Sequence, residues 1–235
     1  MKKQLLVSFV TLSMSTSTFS QNVNIPDANF KNYLLNHPGI NTNADNEIQV
    51  SEAFNFTDSI MCAGMQISDL TGIEAFENII FLSCVNNQLN ALDVSNNIAL
   101  QSLICAMNDI TSLDVSANIN LRNLRCSINP LQSLTISNNP NLEYLYCENN
   151  SLNVLDVSQN PALIELYCTS NSIQALNLTN QALLPTWLKV SFVIHEIPLL
   201  RLLHIGLAFP SIPSPFLPMP MTCRLKFITK KPIKV

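Results

Sequence analysis

Glycine, tryptophan and charge are all scarce in this chain. Four of its 235 residues are glycine, one is tryptophan, and charged residues make up 12%. So few glycines cannot form the glycine-rich loop that cradles phosphate, which excludes that class of nucleotide-binding protein. Cations are rarer still in the middle of the chain. Residues 21–180 hold Lys31, Arg122 and Arg125 against fifteen carboxylates, a net of −12. Without a basic patch, the chain is not suited to nucleic acid. The three histidines, at 37, 195 and 204, leave most of the chain without a base to activate Ser or Cys. Zinc is excluded by the lack of close CxxC pairs. An uninterrupted membrane-length apolar run is also missing: Ile205 to Cys223 is uncharged but carries five prolines.

The two ends differ from the middle. Lys2 and Lys3 precede a short apolar stretch from Leu5 to Met14, and Thr18 and Ser20 are small residues before Gln21. That order is a secretory signal, so residues 1–20 are expected to be removed and the mature protein to be secreted or at the cell surface. From residue 181 onward there is no Asn or Asp, and eight of thirteen prolines lie between 185 and 235. Residues 181–235 carry seven Lys or Arg against Glu196, a net of +6. This tail reads as foreign to the rest: a shifted reading frame or truncated product first, then a poorly ordered tail, then a membrane-associated segment.

What the middle has is a repeat. Cys84, Cys105, Cys126, Cys147 and Cys168 are spaced by 21 residues every time, and Cys62 lies 22 before Cys84. Each of the five follows a leucine by two positions (Leu82, Leu103, Leu124, Leu145, Leu166) and precedes an asparagine by three (Asn87, Asn108, Asn129, Asn150, Asn171). A second half contains Leu92-Asp93-Val94-Ser95 and its counterparts, closed by Asn97, Asn118, Asn139 and Asn160. A fixed period covering so many columns signals a solenoid in which each coil buries its apolar face on the next. Side chains alternate along a strand, so Leu82 and Cys84 point inward and Ser83 outward. The cysteines form an internal ladder: Cys62, Cys84, Cys105, Cys126, Cys147 and Cys168. In-register strands set neighbouring thiols side by side with parallel Cβ vectors, which suits packing better than disulfide geometry. Asparagine at the turns can satisfy backbone groups of neighbouring coils.

The unit L-x-C-x-x-N-x-L-x-x-L-D-V-S-x-N-x-x-L-x-x resembles the 21-residue leucine-rich repeats of bacterial cysteine-ladder proteins of the internalin J type. It is also similar to the repeats of many secreted Bacteroidetes surface proteins, whose chain start Ile25-Pro26-Asp27-Ala28-Asn29-Phe30 resembles. The resemblance covers about residues 21–180. It implies a leucine-rich-repeat solenoid of about six parallel β coils, with a small helical N-terminal cap and an irregular C-terminal tail. The expected division is a signal peptide at 1–20, a cap at 21–56, the solenoid at 57–184 and the tail at 185–235. The resemblance further implies an extracellular recognition or adhesion module, not an enzyme.

Within the cap, residues 27–36 read as a short helix, with Asp27 in the capping position after Pro26. Asn41 to Glu52 can be set against the EF-hand template. Asn41, Asn43 and Asp45 then fall at positions 1, 3 and 5, the Glu47 carbonyl at 7, Gln49 at 9 and Glu52 at 12. Asn41 replaces Asp, and Asn46 replaces the usual glycine. Calcium is therefore expected to bind weakly, in the ~millimolar range, if this is more than a polar turn. No other cofactor is expected.

The strand face offers the candidate binding residues. Outward positions include Arg125, Tyr144, Tyr146, Glu148, Glu165 and Tyr167, which gather three of four tyrosines on two adjacent coils. Tyrosine amid charge suits an extracellular protein or glycan. The alternative is a structural spacer or fragment whose anchor or enzyme domain is missing. Asp93, Asp114 and Asp156 recur with the repeat, so a solvated turn accounts for them better than acid–base chemistry.

Overall fold

The protein is described from a computed structural model, which covers residues 21–177 and 189–191. The expected leader and nearly all of the expected tail, Cys223 included, lie outside the described residues.

The chain enters through a small cap. Helix α1 (Ala28–Leu35) buries Phe30 and Leu34 and starts at Asp27, whose Oδ1 accepts from the backbone N–H groups of Asn29 and Phe30, both at 2.9 Å. The other oxygen of Asp27 accepts from the Ser68 amide at 2.9 Å and the Ser68 hydroxyl at 3.0 Å. One side chain thus caps the helix and ties it to the first coil. A second helix, α2 (Val50–Asn55), begins where the Glu52 carboxylate accepts from the Gln49 amide at 3.1 Å. The segment before α1 crosses Gly72, where φ is 106° and an added Cβ would lie 2.7 Å from Ile25 Cγ1. Only glycine satisfies both that left-handed backbone and that approach.

Strands of three residues follow: β1 (Ser59–Met61), β2 (Phe81–Ser83), β3 (Ser102–Ile104), β4 (Ser112–Asp114), β5 (Asn123–Arg125), β6 (Ser133–Thr135), β7 (Tyr144–Tyr146), β8 (Val154–Asp156), β9 (Glu165–Tyr167), β10 (Ala175–Asn177) and β11 (Lys189–Ser191). On one side of the coils, β1, β2, β3, β5, β7, β9 and β11 form a seven-stranded parallel sheet. On the other side, β4 pairs with β6 and β8 with β10. The registers put leucine beside leucine from Leu82 to Leu166, so the column predicted from spacing is continuous. These leucines are fully buried. At about 1.5–3 kcal/mol for each buried apolar side chain, the column makes a large contribution to stability. At the open end of the sheet the Tyr33 hydroxyl accepts from the Met61 amide at 2.9 Å.

At the far end the pairing departs from the 21-residue count. Strict spacing places Lys189 in the cysteine slot, where the ladder fails. Pairing instead sets Lys189 opposite Glu165 and Val190 opposite Leu166, 24 residues apart. The sheet therefore continues for one more strand across a coil three residues longer than the period.

The asparagines do what turns in a stacked coil demand. Asn108 Nδ2 donates to the carbonyls of Cys84 and Cys105 at 3.0 and 3.1 Å, while its Oδ1 accepts from the Leu89 amide at 3.0 Å. Asn129 and Asn150 repeat this arrangement. From Cys84 to Cys168, the residue two after each cysteine has positive φ: Asn86, Met107, Ile128, Asn149 and Ser170, between 53° and 59°. Asparagine tolerates this geometry, but Ile128 is β-branched and strained there.

Candidate functional site

Sequence alternation predicted which side chains leave the sheet, and the structure places them there. Each strand from β2 to β9 in the large sheet buries its central leucine and turns its flanking residues outward. Register then decides which outward residues touch. Arg125 lies beside Tyr146, and Tyr146 beside Tyr167. The two tyrosine rings stack with centroids 4.9 Å apart and planes within 6°. The Arg125 guanidinium carbon sits 4.5 Å from the Tyr146 ring centroid on that stack. Spacing alone could not show that in-register identity turns three neighbours into one rigid column.

Polar contacts lock the column further. The Tyr146 hydroxyl donates to Glu165 at 2.6 Å. Burial, together with that carboxylate, pushes the Tyr146 phenol up to about 12, so it stays a neutral donor. Glu148 accepts a hydrogen bond from the Ser127 hydroxyl on the preceding coil. Tyr144 occupies the adjacent column, between Asn123 and Glu165. The six residues singled out from sequence therefore share one face of coils β5, β7 and β9, with Arg125, Tyr146, Glu165 and Tyr167 in direct contact.

The earlier coils present something else on the same face. Phe81, Val85, Ile104 and Ala106 are half-buried, and Met61 is exposed. At the sheet edge, Met107 and Ile128 are 47% and 46% exposed. Alternation about the buried leucine and cysteine accounts for the first four facing outward, but not for Met107 and Ile128. Their shared position two after a cysteine was the available signal.

The cysteine ladder is structural. All six described thiols are free and buried. Burial raises every one of them, Cys62, Cys105 and Cys168 to about 12 and Cys84, Cys126 and Cys147 well above the ordinary value. A thiol held protonated is a poor nucleophile and a poor metal ligand. The aspartate column is equally ordinary: Asp93, Asp114 and Asp156 each accept the amide two residues on, at 2.8–2.9 Å.

The cap loop brings most of its expected ligands together, on one another. Asp45 accepts from the Asn43 side chain at 3.0 Å, the Gln49 side chain at 2.9 Å and the Glu47 amide at 2.8 Å. Glu52 accepts from the Thr42 amide and hydroxyl, both at 2.8 Å, and the Asn43 amide at 3.2 Å. Burial works to raise the Glu52 pKa, and these bonds outweigh it, leaving the carboxyl below the ordinary value. The Glu47 side chain pairs instead with Lys31 at 2.8 Å. Asn41 is buried, and its Oδ1 has no hydrogen-bond partner. The fit to a cation is thus partial: one buried acceptor is open, two carboxylates already serve N–H donors, and no group of three His, Cys, Asp or Glu could hold a metal among the described residues. No described helix is long and apolar enough to cross a membrane.

No protein-family model matches the chain, and no curated protein does. Solved structures do. The functional domain of InlJ from Listeria monocytogenes, which includes a cysteine ladder, is 31% identical with a TM-score of 0.60, over 76% of this chain and 41% of that one. An internalin, InlF, from the same organism is 22% identical with a TM-score of 0.57, over 77% of this chain and 56% of that one, and shares the fold. This chain therefore spans about half or less of either relative. Stacked strands, a 21-residue period and these neighbours make it a leucine-rich-repeat solenoid of the internalin-like, cysteine-ladder kind.

Proposed function

We propose that the protein is a secreted or cell-surface recognition module that binds another protein through the outer face of its sheet, without catalysis. The observation that carries this is the Arg125–Tyr146–Tyr167 column. Aromatic residues and arginine dominate binding energy when they are held rigid before the partner arrives. Here stacking and the bond to Glu165 hold them. A protein ligand suits this column better than a glycan. Sugars stack on open aromatic faces, and both faces of Tyr146 are taken, one by Arg125 and one by Tyr167. What Tyr146 leaves open is ring edge and hydroxyl, beside the charge of Arg125 and the apolar Phe81 and Ile104 on the coils before. Secretion rests on the basic and apolar order of residues 1–20.

The test is capture from arrays of extracellular-matrix and host-surface proteins, followed by substitution. Tyr146→Ala should weaken the captured interaction by ~30-fold, and the triple change at Tyr144, Tyr146 and Tyr167 should abolish it. Unchanged binding by the triple variant would defeat the proposal and favour the spacer reading. Capture of glycans alone would replace the protein partner with a saccharide.

A further inference from the structure

We infer a second binding site, for a neutral saccharide, on the N-terminal cap. A depression of about 500 Å³ lies between the outer side of α1 and the first coil, lined by Asn29, Asn32, Tyr33, Asn36, His37 and Met65. That volume is within the usual range for small-ligand sites, ~300–1,000 Å³. No Asp, Glu, Lys or Arg lines it, in a segment that otherwise carries a strong negative charge. An ionised ligand would find no carboxylate, ammonium or guanidinium there.

The polar atoms point to hydroxyl chemistry. Asn29 commits its Nδ2 to the Gln66 carbonyl at 3.2 Å, which leaves Oδ1 to accept. Asn36 commits its Nδ2 to Asn32, at 2.7 Å to the carbonyl and 3.0 Å to Oδ1. Asn36 therefore offers an acceptor and Asn32 offers its amide hydrogens. The Tyr33 hydroxyl accepts from the Met61 amide and keeps its own hydrogen to donate. Two acceptors (Asn29, Asn36) thus flank two donors (Asn32, Tyr33) on one helix face, a mixture that suits a ligand whose every hydroxyl both gives and takes. Beside them the Tyr33 and His37 rings lie 6.0 Å apart at 57°, and Met65 adds apolar surface for the C–H side of a pyranose. His37 is buttressed from behind by Phe56, edge-on at 5.3 Å. The site is separate from the tyrosine column, which begins at β5.

The experiment is saturation-transfer NMR and calorimetry on the full chain. The probes are triacetylchitotriose, maltotriose and mannotriose, with sialyllactose as the anionic control. At least one neutral trisaccharide should bind. Asn32→Ala with Asn36→Ala, both exposed and so compatible with folding, should weaken it by about tenfold. The triple tyrosine variant should bind as the parent does. The inference is overturned if no neutral trisaccharide binds, if the cap variants bind unchanged with circular dichroism intact, or if sialyllactose binds as tightly as the best neutral probe.

Discussion

Two asparagine positions recur from coil to coil, one on either side, and they are used differently. On the sheet side, Asn108 bonds the carbonyls of Cys84 and Cys105 and the Leu89 amide, tying its own coil to the one before. On the opposite side, Asn118 donates to the carbonyls of Val94 and Asn97, both at 2.9 Å, and its Oδ1 is buried with no hydrogen-bond partner. Asn97 and Asn139 repeat that pattern. The two columns look alike in sequence. Only the sheet side uses its asparagine in full, and that side also has the continuous seven-stranded ladder, whereas the other has only strand pairs. Stability should therefore be concentrated beneath the face that carries the tyrosines.

Substitution at the two columns tests this most strongly. Asn108→Ala strands two buried carbonyls and a buried amide and should cost about 3 kcal/mol, against about 2 kcal/mol for Asn118→Ala, which strands two carbonyls. Urea unfolding measures both; equal losses would erase the distinction. Cys126→Ser comes next. A hydroxyl in the apolar thiol column should cost about 2 kcal/mol, and the parent's six ladder thiols should resist Ellman's reagent until urea unfolds the chain. Fast labelling of any ladder thiol in the native protein, with Cys223 replaced by serine, would show that the sheet side opens readily.

Smaller effects belong to the cap, where the stack ends. Asp27→Ala removes a helix cap and the link to Ser68 and should cost about 1.5 kcal/mol. Burial works to raise the Asp27 pKa, but the bonds from Phe30, Ser68 and Asn29 outweigh it and hold the carboxyl below its ordinary 3.8. Its contribution is therefore complete above that value and is lost as pH falls through the lower folded one. Thermal melts from pH 6 down to 2 should show a loss in the parent that the Asp27→Ala variant lacks. The smallest effect is calcium. If the loop binds with ~millimolar affinity, a fivefold excess over Kd should contribute about 1 kcal/mol and raise Tm by roughly 3 °C. No rise, or the same rise in Asp45→Asn with Glu52→Gln, would leave the loop a hydrogen-bonded turn.

Much of this was legible in residue order. The 21-residue spacing located the leucine and cysteine columns and the outward tyrosines, and the place of Asp27 after Pro26 at the head of a helix located the cap, because alternation, period and capping are local rules. Contacts that depend on register were not legible. Nothing in the spacing of Arg125, Tyr146 and Tyr167 says that their planes align. Nor does it separate Asn108, with a bonded Oδ1, from Asn118, with an open one. The longer last coil escaped for the opposite reason: a rigid period was extended past the point where pairing, not counting, places Lys189 opposite Glu165.

The bond from the Met61 amide to Tyr33 has a bearing on what the first strand can pair with. A stack of identical coils resembles a one-dimensional crystal, and its first strand is a growth face open to any matching chain. The phenol poisons that face. Copies stripped of the cap would be free to add head to tail, and a heterologous contact of that kind has no reason to close.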